Sequence, residues 1–286
     1  MIMAQSPHRA DEGASRGDVL LAPTTTKLPD AAPGAVIVSG SHGGRYPGYT
    51  VAGAGVRAVI LNDAGVGKDG AGTGSLPYLE ALGIAAATVS HASCRIGDAE
   101  DMMARGTISH ANAVAAACGV VAGQPCAQAA ELLRNAPWRR VDPPRLGEAR
   151  SEDVPAGAVR RIVLLDSAAL VQPGDAGQIV VTGSHGGLVG GVPAMALRTD
   201  AYAAVFNDAG GGADDAGLTR LPALDERGIA AFVVAAGSAR IGEAVSSYRD
   251  GVISRANRTA QRLGAVSGAP ALQVLQAWAM GNPYRI

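Results

Sequence analysis

Two histidines of this sequence stand in the same short motif, and the motif could support acid–base chemistry. Residues 41–44 and 184–187 are both Ser-His-Gly-Gly, and each follows an apolar run. A histidine can exchange a proton near neutral pH, and paired glycines let backbone N–H groups approach a ligand closely. We therefore expect His42 and His185 to act as general acids or bases; the alternative is a tight turn with a hydrogen-bonded imidazole. The substrate-binding residues predicted in these motifs are Ser41, Gly43, Gly44, Ser184, Gly186 and Gly187.

A second shared motif, Asn-Asp-Ala-Gly, follows the next apolar run in each part of the chain. It places Asn62 beside Asp63, and Asn207 beside Asp208. An adjacent amide and carboxylate could orient a catalytic histidine, hold a water molecule or bind a cation through oxygen. We expect the two aspartates to be catalytic and the two asparagines to bind substrate. The alternative is an Asx turn that closes the loop.

The third shared motif, Ser-x-Arg-Ile-Gly-Asp/Glu, begins at residues 93 and 238. A helix predicted to start just after it would direct free N–H groups toward an anion. A guanidinium could hold a carboxylate or phosphate at the same place. The alternative is that the acidic residue at the end of the motif stabilises the helix and pairs with the arginine. The predicted anion-binding residues are Ser93, Arg95, Ser238 and Arg240.

The three motifs recur because the chain contains an internal duplication. Residues 36–44 are repeated at 179–187, and residues 58–112 match 203–257 at 27 of 55 positions without a gap. Each copy is long enough to form its own hydrophobic core. We predict repeats at 1–136 and 158–286, related by a pseudo-two-fold axis, with a Pro- and Arg-rich linker at 137–157.

The elements that must position these motifs form an α/β fold in each copy. Residues 36–44, 58–65 and 84–90 contain continuous apolar runs, which are typical of strands buried on both faces. Residues 76–83 separate two of these runs, have a helical composition and end in a glycine suited to a left-handed cap. The order of elements predicts a mainly parallel, three-layer αβα domain, present twice. Farther along, Ser109 and Asn112 are predicted to share one face of a helix.

Ligands of such sheets bind beyond the carboxyl ends of the strands. All three motifs follow predicted strands at that edge. We therefore expect His42, Asp63 and Arg95 to line one cleft, and the matching residues of the second copy to line another.

The composition excludes several classes of protein. The net charge is −1 with no basic stripe, which argues against nucleic acid as a partner. No apolar run reaches the roughly 18 residues of a membrane span. Residues 1–17 are polar, so no secretory signal is predicted. The three cysteines are odd in number and favour a reducing compartment. We expect a cytoplasmic protein that binds a small molecule, and a homo-oligomer is compatible with that interpretation.

No cofactor is predicted. The sequence lacks HxxxH and CxxC spacings and the glycine motifs of dinucleotide and P-loop sites. We predict no metal site, with a divalent cation at the Asn-Asp motif as an alternative. Cys94 could be a nucleophile by its position, but its counterpart is Ala239, so a mechanism common to both copies cannot require it.

The order of a strand, His-Gly, a helix and a strand ending in Asp-Ala resembles the core of the caspase-like superfamily, over about 60 residues of each copy. Members of that superfamily carry a nucleophilic cysteine after Asp-Ala. Gly65 and Gly210 stand at that position here. The resemblance therefore does not imply cysteine peptidase chemistry, and only His42 and His185 keep a family counterpart.

These observations predict a hydrolase or related acid–base enzyme acting on a polar, anionic carbonyl or amide compound. The alternative is a protein that binds a small ligand without catalysis. The retained histidines and aspartates favour catalysis, whereas the missing nucleophile favours binding.

Overall fold

A computed structural model describes residues 17–285 and shows two mostly parallel β-sheets interleaved with helices, which confirms the predicted α/β class. The prediction about a secretory signal falls almost entirely on residues outside this range. The first sheet has the order β1-β2-β3-β4-β5, and only β5 runs antiparallel. Its strands are β1 (Val19–Ala22), β2 (Val36–His42), β3 (Ala58–Asn62), β4 (Ala85–Val89) and β5 (Ile108–Ala111).

The second sheet has six strands in the order β11-β10-β9-β8-β7-β6, with antiparallel strands at both edges. Strand β6 lies within residues 137–157, which the composition suggested to be a linker, and it pairs with β7. The strands are β6 (Arg150–Asp153), β7 (Ile162–Leu165), β8 (Ile179–His185), β9 (Ala203–Asn207), β10 (Ala230–Val234) and β11 (Ile253–Ala256).

Helices cover both faces of each sheet because the central strands are apolar on both sides. In β2, Val36 and Val38 belong to one buried cluster, whereas Ile37 belongs to the cluster on the opposite face. Helices α1 and α2 pack on the Ile37 face, and α3 and α5 on the other. The helices are α1 (Arg45–Gly53), α2 (Ser75–Ala81), α3 (Ala99–Arg105), α4 (Ala113–Ala117), α5 (Cys126–Leu133), α6 (Arg220–Glu226), α7 (Ala244–Arg249), α8 (Arg258–Arg262) and α9 (Ala271–Ala279). Within residues 17–285, no helix has the length and apolar character needed to cross a membrane.

The two halves of the chain touch through the turns that follow β3 and β9. A Cβ atom at Gly65 would lie 2.9 Å from the Cα atom of Gly210. The Lys68 N–H donates to the carbonyl of Ala236, and the Ala213 N–H donates to the carbonyl of His91, both at 2.8 Å. A small apolar cluster surrounds this contact and consists of Ala64, Ile96, Ala209, Ala216 and Ile241. A rotation that superposes the halves stays a prediction.

Candidate functional site

A cavity of about 800 Å³ lies between the two halves and collects side chains from both. Such a volume suits a small organic ligand. Five of the predicted site residues line it, namely Ser41, His42, Ser184, His185 and Arg240. Its remaining charged lining residues are Lys27, Arg45, Asp69, Glu148, Asp166, Arg198, Arg220 and Glu243.

Each strand-end histidine is fixed by the glycine two residues after it. The Gly44 N–H donates to Nδ1 of His42 at 3.1 Å, and the Gly187 N–H donates to Nδ1 of His185 at 3.2 Å. A ring nitrogen that accepts an N–H carries no proton, so each neutral ring has its proton on Nε2. Within the described part of the chain, neither Nε2 has a protein hydrogen-bond partner. Both histidines line the cavity, and their Nε2–H groups are not engaged by another part of the described protein.

Burial keeps both histidines neutral at physiological pH. It lowers the pKa of His42 to about 4. It also holds the pKa of His185 well below its usual value, and electrostatic interactions with Arg220 and His42 add to this shift. The two imidazoles are thus suited to donate a hydrogen bond from Nε2, and this tautomer leaves them without a free basic nitrogen. The prediction that His42 and His185 act as general acids or bases stays a prediction, and the hydrogen bonds favour a role as neutral donors.

The glycine N–H groups of the Ser-His-Gly-Gly turns are used inside the turns. The Gly43 N–H donates to the carbonyl of Asn62 at 2.6 Å, and the Gly186 N–H donates to the carbonyl of Asn207 at 2.7 Å. Gly44 and Gly187 bind the histidines, as described above. None of the four N–H groups is therefore free to bind a ligand, contrary to the expectation from sequence. Glycine is needed because a Cβ at Gly43 would collide with a neighbouring carbonyl oxygen.

The Asn-Asp-Ala-Gly motifs close their own turns. The Asn62 Oδ1 atom accepts the Ala64 N–H at 2.9 Å, and the Asp63 Oδ1 atom accepts the Gly65 N–H at 3.1 Å. Ala64 needs this support because its φ of 49° is left-handed. Asn207 and Asp208 make the same two bonds in the second half. These contacts correspond to the Asx-turn alternative, and none of the four side chains lines the cavity.

Asp63 pairs with a histidine other than the predicted one. Its Oδ1 atom is 2.9 Å from Nδ1 of His91 and also accepts the His91 N–H at 2.9 Å. The hydrogen bond that His91 donates to Asp63 raises the pKa of His91. Burial alone would raise the pKa of Asp63, but its bonds to His91 bring it below the usual value. Asp208 has no such partner, because Ala236 stands where His91 does and contributes only its N–H.

The residues of the third motif have two different roles: the serines stabilise their own loops, and only one of the two arginines lines the cavity. Ser93 accepts the Thr107 N–H at 2.9 Å and donates to the carbonyl of Ser90 at 2.7 Å, so it stabilises its own loop. Ser238 makes the equivalent bonds in the second half. Arg95 forms ion pairs with Asp101 and Asp214 outside the cavity.

Arg240 alone of the four predicted anion-binding residues lines the cavity. Its guanidinium binds Asp69 at 2.8 Å and Glu243 at 3.1 Å.

The predicted trios are therefore not assembled within one half. Asp63 and Arg95 do not line the cavity that contains His42. His42 instead faces the third motif of the other half, because a Cβ at Gly242 would be 3.5 Å from its Cε1 atom. In the same way, a Cβ at Gly97 of the first half would be 3.6 Å from the Cε1 atom of His185.

Three functional candidates had no signal in the sequence. Glu148 lies in the supposed linker, and burial together with the charge of Asp166 raises its pKa to about 7. Asp166 follows strand β7 and accepts two backbone N–H bonds. Arg220 is a buried cavity residue whose counterpart in the first half is Ser75. A repeat-based search passes over all three because each occurs in only one copy.

Cys94 is not an available nucleophile. Its Sγ atom is buried and accepts a weak hydrogen bond from Nδ2 of Asn62 at 3.7 Å. Burial raises the pKa of the thiol to about 11. The thiol therefore stays protonated at neutral pH and has no access to the cavity.

Comparison with known proteins adds no relative. No family model, curated protein or solved structure matches the chain. The caspase-like resemblance stays a prediction. Among residues 17–285, no three or more His, Cys, Asp and Glu side chains are grouped so that they could hold a metal ion.

Proposed function

We propose that the cavity between the halves binds a small anionic compound and hydrolyses a carbonyl or amide bond in it. One observation carries this proposal: two neutral imidazoles, one from each half, line the same cavity, and neither Nε2–H group has a hydrogen-bond partner among the described residues. Preorganised neutral donors stabilise the negative charge that develops on a carbonyl oxygen during hydrolysis. In this proposal His42 and His185 bind the ligand oxygen, instead of the glycine N–H groups that the sequence predicted to approach the ligand.

The charges of the cavity support an anionic ligand. Lys27, Arg45 and Arg198 line it and have no ion-pair partner among the described carboxylates. Arg240 is already paired with two carboxylates. The lining cations thus exceed what the lining carboxylates neutralise. A ligand carboxylate or phosphate would pair with one of the three unpaired cations.

A binding protein without catalysis is the second candidate, and one observation favours it. The aspartates of the Asn-Asp motif, which the catalytic hypothesis placed beside the histidines, are engaged in their own turns. The histidines then act only as hydrogen-bond donors. Binding and hydrolysis use the same donors but differ in whether product forms.

The experiment compares two replacements of each histidine. In His42→Asn, the side-chain oxygen can replace Nδ1 as acceptor of the Gly44 N–H, but the Nε2–H donor is lost. His42→Gln places an amide N–H near the Nε2 position and loses the Nδ1 acceptor. His110→Asn is the matched control, since His110 is exposed on β5 and lies outside the cavity. The same pair of variants is made at His185.

We expect His42→Asn to weaken binding of inorganic phosphate or malonate by roughly 10- to 100-fold, the usual effect of a hydrogen bond to a charged group. His42→Gln should lose less affinity. Release of amine from small carboxylate-bearing amides, followed by mass spectrometry, should fall roughly 10²- to 10³-fold in the Asn variant. Anion binding without amine release would favour the binding protein. Equal affinities in all variants would contradict both candidates.

A further inference from the structure

We infer that Glu148 is the residue that exchanges a proton with the ligand in this cavity. The inference rests on the proposed function of the cavity and adds the group that moves the proton. Glu148 belongs to none of the repeated motifs, because it stands in the single-copy stretch 137–157. Its contacts distinguish it from every other acidic residue that lines the cavity.

Glu148 is the one lining carboxylate, among the described residues, without a cation or a backbone N–H to hold its charge. Asp69 and Glu243 are both bound by Arg240. Asp166 accepts the Ala149 N–H at 2.8 Å and the Ala244 N–H at 3.0 Å. Each of these three carboxylates therefore has a cation or backbone N–H partner, and Glu148 has neither.

The partners of Glu148 are hydroxyl groups. The hydroxyl groups of Tyr46 and Ser167 act on its carboxyl group, and each lowers its pKa. A hydroxyl can donate to a carboxylate and can accept from a carboxylic acid, so it suits both protonation states. The surroundings of Glu148 therefore allow it to gain or lose a proton without breaking a contact.

The charges around Glu148 bring its proton affinity into the neutral range. Asp166, which follows β7, accepts two backbone N–H bonds and acts on Glu148 through its charge, whereas Tyr46 of α1 acts on it through its hydroxyl group. Burial and the Asp166 charge raise the pKa of Glu148 to about 7, although the two hydroxyl bonds act in the opposite direction. The cations Lys27, Arg45, Arg198, Arg220 and Arg240 line the same cavity, and none forms an ion pair with Glu148. A group that is half protonated near pH 7 can act as both acid and base.

In hydrolysis of an amide, Glu148 would act twice. As a water molecule adds to the carbonyl carbon, one proton of the water passes to the Glu148 carboxylate. The electron pair of the C=O double bond moves at the same time to the carbonyl oxygen, which the two histidines bind. The C–N bond then breaks, and the amine leaves with the proton that Glu148 returns. The products are a carboxylic acid and an amine, and Glu148 is restored.

The first test needs no ligand. NMR of protein labelled with ¹³C at the glutamate carboxyl carbon follows each glutamate during a pH titration, and Glu148→Gln identifies the signal. We expect that signal to titrate near pH 7. Asp166→Asn should lower its midpoint, and Tyr46→Phe should raise it, because the two neighbours act in opposite directions. A midpoint in the ordinary range of exposed glutamates would overturn the inference.

The second test measures proton uptake when sulfate or malonate binds, by calorimetry in buffers of different ionisation enthalpy; phosphate is avoided because it exchanges a proton itself near pH 7. An anion bound close to Glu148 raises its pKa, so the wild-type protein should take up protons near pH 7. Uptake should disappear in Glu148→Gln and persist in Glu152→Gln, a control on β6 outside the cavity. Tyr46→Phe should move the pH of maximal uptake upward, which keeps the test decisive if Glu148→Gln does not fold.

The outcomes separate the inference from the proposed function. If the anions bind and Glu148→Gln takes up as many protons as the wild type, Glu148 is not the proton-exchanging group, while the cavity function stands. If neither anion binds, the proposed function fails and the inference fails with it.

Discussion

The two Ser-His-Gly-Gly turns make the same local bonds, but the segments that follow them differ. After Gly44 the chain forms helix α1, whereas after Gly187 it forms two short 3₁₀ turns, Val189–Gly191 and Pro193–Met195. A helix satisfies most of its carbonyl groups internally, and an irregular loop does not. The Ser-His-Gly-Gly turn is therefore the same in both halves, although the segment that follows it has a different structure in each half.

The first residue of α6, Arg220, compensates for the irregular loop of the second half. The first residue of α2, Ser75, stands at the matching position of the first half. Arg220 donates to the carbonyl of Gly187 at 2.9 Å, to that of Met195 at 3.2 Å and to that of Ala196. Its counterpart Ser75 is fully buried, and its hydroxyl has no partner in the described part of the chain. The irregular loop needs a cation, and the helix needs only a small residue.

The largest expected effect is therefore the loss of Arg220. We expect Arg220→Ala to lower the free energy of unfolding by about 3 kcal/mol or more, because several buried carbonyls lose their donor together. Ser75→Ala is the matched control and should change stability by less than about 0.5 kcal/mol. Urea denaturation of both variants measures the difference. Similar losses in the two variants would contradict the compensation described above.

The pH dependence of stability tests whether the two histidine turns are equivalent. The pKa of His42 is about 4 in the folded protein and 6.5 in the unfolded chain. The unfolded state therefore binds more protons between these values, and stability falls as the pH drops from 6.5 to 4. We expect His42→Asn to remove about 2 kcal/mol of this loss. His185→Asn should act in the same direction.

Denaturation midpoints at several pH values measure the slope, and His110→Asn should leave it unchanged. If only one of the two cavity histidines alters the acid slope, the turns are not equivalent despite their identical bonds.

The His91–Asp63 pair exists in one half only and should have the opposite pH dependence. The pKa of His91 is raised in the folded protein, so the pair stabilises below pH 6.5 and loses this contribution as the pH rises through the folded pKa. We expect His91→Ala, which copies Ala236, to cost about 1 kcal/mol at pH 6 and less at pH 9. A constant difference between pH 6 and 9 would show that packing, not charge, accounts for the cost.

The smallest expected effect concerns the ion pairs between the halves. Lys68 binds Asp250 at 2.9 Å, and the matching positions carry Ala213 and Arg105. Both partners are partly exposed, so Lys68→Ala should lower the free energy of unfolding by about 0.5 kcal/mol or less. The difference should vanish in high salt. A salt-independent loss above about 1 kcal/mol would indicate that the pair holds the halves together.

The fold was largely predictable because its signals are local. The apolar runs at 36–44 and 84–90 contain β2 and β4, and Gly83 takes the left-handed φ of 70° expected after a helix. The helix predicted to include Ser109 and Asn112 was wrong. The chain is extended at Gly106, and the following residues form strand β5, whose end leads to Asn112 as the cap of α4. Glycine and the β-branched residues after it disfavour the continuation of a helix.

The site was only partly predictable because its decisive contacts join distant parts of the chain. Motif spacing located His42 and His185, which share the cavity. It paired His42 with Asp63 of the same copy. In the structure, His42 instead lies next to Gly242, in the third motif of the other half. The protonation of Glu148 depends on Asp166 and on burial, and neither has a periodic or repeated signal.

The contact between Gly65 and Gly210 also limits how this chain can change. A Cβ atom at Gly210 would lie 2.7 Å from Cδ2 of His91 and 2.9 Å from Cα of Gly65, so each half fills the space that a side chain at this position of the other would need. A nucleophile introduced at either position would have to push the halves apart and open the cavity between them. A reactive side chain at residue 65 or 210 is therefore incompatible with the present contact between the halves. Introducing one would require changes in both halves at once.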